Sequence, residues 1–131
     1  MLDRRKLMQV ELVARCLMAL ILLVAGSSKL MADGGFQTYY LGLFSNQSLR
    51  INLPSELVLF YLSAIPWVEI GLGIALLFAR FKPVTLYAWY LFMASLLVGH
   101  YVLQEWSSVN QMLPYFFLGM LCHMLPNGSD H

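Results

Sequence analysis

Six ionisable side chains fall inside or at the edges of long apolar runs of this sequence: Glu11, Arg15, Lys29, Glu69, His100 and His123. A charge at membrane depth is costly and asks for a partner or a task, so any chemistry should sit on these six. Glu11 and Arg15 are four apart with the acid first, the favourable order for a pair on one helix face. They read as a structural polar pair near one membrane face, with the arginine reaching out toward the headgroups. Lys29 follows on nearly the same face of the same helix. Glu69 stands alone in Ala64-Ile65-Pro66-Trp67-Val68-Glu69-Ile70-Gly71-Leu72-Gly73, where a lone carboxylate must be protonated or paired. Its side chain leans toward the start of its helix, which is the direction of Lys29 and His100. Pro66 also leaves a carbonyl one turn earlier without its usual donor. Such a set suits proton exchange or the holding of a polar head group. Lys29, Glu69 and His100 would be the polar ligands, with Trp67 and Tyr101 walling an apolar slot.

His100 and His123 raise the question of haem, because neutral imidazole is a good axial ligand. The two lie near opposite membrane faces, separated by roughly 20 Å along the normal from helix rise, so one chain cannot clamp a haem with them. Haem is therefore not expected, and neither is a metal site or a covalently bound cofactor. A quinone or another lipid is the ligand class that fits. His123 reads as an interfacial residue and His131 as a tail residue. Cys16 and Cys122 stand far apart with no C-x-x-C, so they read as small apolar residues. A redox role would have to come from a bound molecule or a partner.

The elements that position these residues follow from composition. Of 131 residues, 60% are hydrophobic and 11% charged, against about 25% charged in ordinary soluble domains. That balance excludes a soluble domain and a disordered chain. Eight Lys+Arg against seven Asp+Glu give no basic surface for nucleic acid. The expectation is an all-α membrane protein, one integral domain over 1–131. Its four transmembrane helices would lie at about 8–31, 55–78, 84–103 and 109–125, each near the length a bilayer needs. Pro54 suits the start of the second; Pro126-Asn127-Gly128 stops the last.

Arg4, Arg5 and Lys6 before an apolar run resemble a leader, but Glu11, Arg15 and three further apolar runs favour a retained span. Those residues, with Arg80 and Lys82, mark the inner side, and Arg50 is the one clear basic residue opposite. The bundle should therefore be N-in and C-in. The outer segment 32–54 holds Phe36, Tyr39, Tyr40, Leu41 and Phe44, a density that suits a short interfacial helix or a loop packed over the bundle. Gly71 and Ala75 form a small-residue pair that would let another helix approach. The triplets Asn46-Gln47-Ser48 and Asn127-Gly128-Ser129 carry little weight as glycosylation signals.

With these residues in place, the chain resembles the four-helix DoxX/MauE superfamily of small bacterial and archaeal membrane proteins. The resemblance rests on Arg15, on Ala25-Gly26-Ser27-Ser28-Lys29-Leu30 and on Pro66-Trp67-Val68-Glu69-Ile70-Gly71-Leu72-Gly73. Arg80, Ala94 and His100 also fit. It covers most of 11–103 and fades in the fourth span. It implies a protein of the cytoplasmic membrane tied to redox chemistry, with Arg15, Lys29, Glu69 and His100 carried over as its polar residues. Members include a subunit type linked to thiosulfate:quinone oxidoreduction and a type that matures a disulfide-rich dehydrogenase. This chain departs from the second in lacking paired cysteines.

Two readings follow. The first is a small quinone-linked subunit, not an enzyme on its own. The second is a non-catalytic accessory subunit packed against a larger respiratory or photosynthetic complex, for which eight adaptable Met residues are suited. The partners expected are the bilayer, other membrane subunits or further copies of the chain, and no nucleic acid. A small oligomeric transporter is the weakest alternative, since no internal repeat or broken helix pair is evident.

Overall fold

The computed structural model describes residues 3–46 and 49–128. His131, and parts of the two Asn-x-Ser triplets, lie outside them. Every regular element among the described residues is helical. The longest, α1 (Arg4–Met31), is capped by Asp3, whose side chain accepts from the Arg5 amide at 3.2 Å. Its buried positions are Glu11, Ala14, Arg15, Met18, Ala19, Leu22 and Gly26, the three-and-four spacing of a single stripe. The helix ends in a tight reversal in which Asp33 (φ 55°) and Gly34 (φ 85°) take left-handed backbone, a conformation glycine adopts freely.

A short helix α2 (Gly35–Phe44) follows, then α3 (Ser55–Leu76) with Pro66 inside it. One 3-10 turn over Ala79–Phe81 leads into α4 (Lys82–Val102), whose first turn takes Pro83. Two short helices close the chain, α5 (Trp106–Gln111) and α6 (Leu113–Met124).

Three helices, α1, α3 and α4, are long and apolar enough to cross a membrane. The expected fourth span is not one continuous helix. Residues 104–111 are largely polar, and Pro114 withholds an amide at the point where α5 would continue into α6. The 12 residues of α6 reach only about 18 Å, short of the ~30 Å hydrocarbon core. The predicted short helix within 32–54 is present as α2.

Helices α1 and α3 pack antiparallel, residues 15–29 of the first against residues 66–76 of the second. Two glycines let them meet: a Cβ on Gly26 would lie 2.8 Å from the Pro66 carbonyl, and one on Gly73 would lie 2.8 Å from Leu23 Cγ. The expected Gly71 is not at this seam; a Cβ there meets nothing within 4 Å. The small-residue device is in the right helix but two residues further on. The α4–α6 seam is built similarly. Trp89 is fully buried, donates from Nε1 to the Tyr115 carbonyl at 3.0 Å, and lies against Gly119. Large apolar side chains such as Phe60, Leu91, Phe117 and Val13 point outward, as they would toward lipid.

Candidate functional site

The buried polar residues form two sets at opposite ends of the bundle. At the end that holds the start of α1, Glu11 accepts from Arg15 Nε at 2.8 Å, pairs with Lys82 Nζ at 3.1 Å, and accepts the Gly128 amide at 2.6 Å. Arg15 donates to the Leu76 carbonyl at 2.9 Å and contacts the Asn127 side chain; Lys82 donates to the Leu125 carbonyl at 3.2 Å. The predicted Glu11–Arg15 pair thus exists, but Arg15 does not reach out to headgroups. It is 1% exposed, because the end of α3 and the segment after α6 supply its acceptors. Lys82, Asn127 and Gly128 belong to this cluster; the sequence marked the first for topology and the other two as a helix stop, and none of them as a partner of Glu11 or Arg15. Lys82 had a signal of its own, as a lysine opening an apolar helix, but nothing marked Gly128 as a donor. Every strong donor and acceptor here faces a protein partner, which makes the cluster a lock between α1, α3, α4 and residues 125–128.

The opposite end is different in kind. Gly26 brings α3 so close that a Cβ on it would lie 3.2 Å from the Cβ of Glu69. Lys29, three residues on and on the same side of α1, therefore meets Glu69 in an ion pair. The carboxylate is buried, and its second oxygen, Oε2, has no partner among the described residues. Lys29 also stands 5.0 Å from the ring centre of Phe36 on α2, within cation–π range.

Lys29 opens onto a cavity of about 130 Å³ lined by Phe36, Tyr40, Phe44, Tyr61 and His100 among others. Helix α2 supplies the first three rings and so roofs the cavity. An apolar cavity of roughly 150 Å³ is enough to take up benzene, so this one is on the scale of a single ring. Burial, with the Glu105 carboxylate adding to it, pushes the Tyr40 hydroxyl above its ordinary range, which keeps it a proton-bearing donor at neutral pH. His100 bonds Glu105 through Nδ1 at 3.2 Å. An ionised carboxylate can only accept, so Nδ1 is the donor in this pair. Tyr61 bonds Ser95 at 2.8 Å, and Ser95 in turn donates to the Phe92 carbonyl at 2.6 Å. The cavity therefore offers an ammonium, a phenol donor and an imidazole around an aromatic space.

The structure brings Lys29 and Glu69 together and puts His100 on the same cavity, though His100 pairs with Glu105 and not with Glu69. It does not bring Trp67 or Tyr101 there. Trp67 is 65% exposed on the outer face of α3. Tyr101 stacks edge-on against Trp106 at 5.4 Å and lines a separate surface pocket with Arg50 and Ile51. Both face away because a helix turns about 100° per residue, so neighbours of Glu69 and His100 in sequence are not neighbours in space. Tyr61, two turns before Glu69 on α3, is the wall residue that helical spacing could have found. His123 lies toward the other end, its ring stacked with Tyr90 and Nδ1 3.3 Å from the Tyr90 hydroxyl. Cys16 is exposed, whereas Cys122 is buried with Sγ 3.4 Å from Met18 Sδ.

Neither a curated protein nor a solved structure matches the chain at a meaningful level. Residues 7–112 do match a family, described as methylamine utilisation protein MauE. That stretch contains Lys29, Glu69, His100 and the whole cavity lining, and with three helices fit to cross a bilayer the chain is a membrane protein that belongs to the MauE family.

Proposed function

We propose that this protein is a small accessory membrane subunit of a redox system that binds a quinone-type head group in the cavity beneath α2. The single observation that carries the reading is the Lys29–Glu69 pair, whose carboxylate is buried and whose half-buried lysine lines an aromatic cavity together with His100 and Tyr40. A quinone ring needs an apolar slot and one or two donors for its carbonyls; Lys29 and Tyr40 are donors of the right kind. The second oxygen of Glu69, which has no partner among the described residues, and the His100 imidazole are the groups to hold a proton when the ring is reduced. The sequence has no C-x-x-C, and in this reading electrons come and go through a partner protein. Membership of a family named for methylamine utilisation supports an accessory place in a multi-protein redox pathway. The eight Met residues and exposed apolar faces suit packing against such a partner.

In this reading residues 104–125 complete a fourth crossing as a broken helix. Arg4, Arg5, Lys6, Arg80 and Lys82 face the cytoplasm and the cavity opens in the outer leaflet of a bacterial or archaeal cytoplasmic membrane. Purified protein in lipid nanodiscs should bind a short-chain benzoquinone, and Lys29→Ala or Glu69→Gln should weaken binding about tenfold, the scale of one lost charge-assisted contact. Undiminished binding in both variants would overturn the assignment.

A further inference from the structure

The cavity roofed by α2 is not sealed. A second space of about 370 Å³ runs along the first turns of α3 and the last turns of α4, lined by Leu53, Leu57, Val58, Val98 and Val102. Phe44, Tyr61 and Gly99 line both spaces. At Gly99 the shared wall has no side chain, and the nearest neighbour of an added Cβ would be the Phe44 ring at 3.8 Å. Leu57 and Val98 are more than half exposed, so the groove opens outward between the two helices.

Its polar groups are satisfied before any ligand arrives. Ser95 spends its proton on the Phe92 carbonyl, so the Tyr61 hydroxyl is the donor in their 2.8 Å bond. An apolar chain lying in the groove would strand no hydrogen bond.

We infer that the ligand of the outer cavity is a lipid with a long apolar tail, which enters sideways from the bilayer between α3 and α4 and leaves its tail in this groove. The inference rests on the quinone-type reading of the cavity and adds the tail, the groove and the route. At about 130 Å³ the cavity has room for a ring and not for a chain. Rings of α2 line one side of the cavity, and past Gly99 it adjoins an apolar groove in which Leu57 and Val98 are exposed. Lipid is as apolar as the groove, so moving the tail gains little by the hydrophobic effect. The groove matters sterically, by giving the tail somewhere to go once the ring is seated.

The test compares two probes in nanodiscs of fixed lipid composition: a decyl-tailed benzoquinone and the same ring with methyl in place of the tail. Val98→Trp and Leu57→Trp fill the groove from exposed positions; Ile74→Trp, on an exposed site toward the other end of α3, is the control. Each groove variant should weaken the tailed probe about tenfold and change the methyl probe by less than about twofold, and the control should move neither. Unchanged binding of the tailed probe, or equal loss of both probes in both groove variants, overturns the groove. Failure of the wild-type protein to bind either probe overturns the quinone-type reading, and the tail with it.

Discussion

Two acidic residues occupy buried positions in this bundle, and their surroundings differ in a way that sets what each can do. Glu11 has three donors, from Arg15, Lys82 and the Gly128 amide. Glu69 has Lys29 on one oxygen and no partner on the other among the described residues. Removing one partner of a fully buried ion pair costs about 3–5 kcal/mol because the remaining charge is stranded. Glu11→Gln strands two cations, and thermal unfolding in detergent should show a loss in that range. Glu69→Gln should cost less, about 1–3 kcal/mol, since the Lys29 side chain is 22% exposed and has a short path to the interface. Adding Lys29→Met to Glu69→Gln should restore much of that loss; a double variant as unstable as the single would show that the loss does not come from a stranded lysine. Sequence reasoning could pick out these residues because a charge within an apolar run stands out by cost alone. It could not supply their partners, since Gly128 and Leu76 act through backbone atoms that carry no mark of it in the sequence.

The helices were legible in proportion to their hydrophobic continuity. Spans expected at 55–78 and 84–103 are found as Ser55–Leu76 and Lys82–Val102, because unbroken apolar runs end at evident breakers. The fourth is found as two short helices, split where Pro114 and a polar stretch interrupt the run. Seams between helices were harder to read, because any glycine at the right spacing looks competent, and only packing decides which one touches. The contrast between Gly26 and Gly71 makes this measurable. Gly26→Ala should destabilise by about 1–3 kcal/mol, the cost of overpacking a tight contact, since the added methyl meets the Pro66 carbonyl and Ile70. Gly71→Ala should be neutral or stabilising by up to ~1 kcal/mol, as alanine replaces glycine in an open helix position. Denaturation of the two variants side by side checks the register, and equal losses would contradict it. The outer cavity was legible only as a polar set, Lys29, Glu69 and His100; its walls come from α2 and α3 rings whose inward faces depend on the α1–α2 reversal at Asp33–Gly34.

For the whole molecule, the start of α1, the turn between α3 and α4 and residues 125–128 meet at one end, and α2 covers the other. With the basic residues counted by end, the α2 end should face away from the cytoplasm. In a Cys16→Ala background, a membrane-impermeant thiol reagent applied to intact cells should label Asn46→Cys and leave Arg5→Cys unlabelled until the membrane is opened. The reverse pattern would invert the topology. The lock around Glu11 also has a consequence for biosynthesis. The Glu11–Arg15 pair is local and can form as soon as α1 leaves the ribosome, but the Gly128 amide is 117 residues later. During translation the first helix must therefore wait in the membrane with its carboxylate only partly satisfied, through the insertion of α3 and α4. Residues made after all three long helices are the ones that complete it, so a chain released before them would carry an open charge cluster exposed to membrane quality-control proteases.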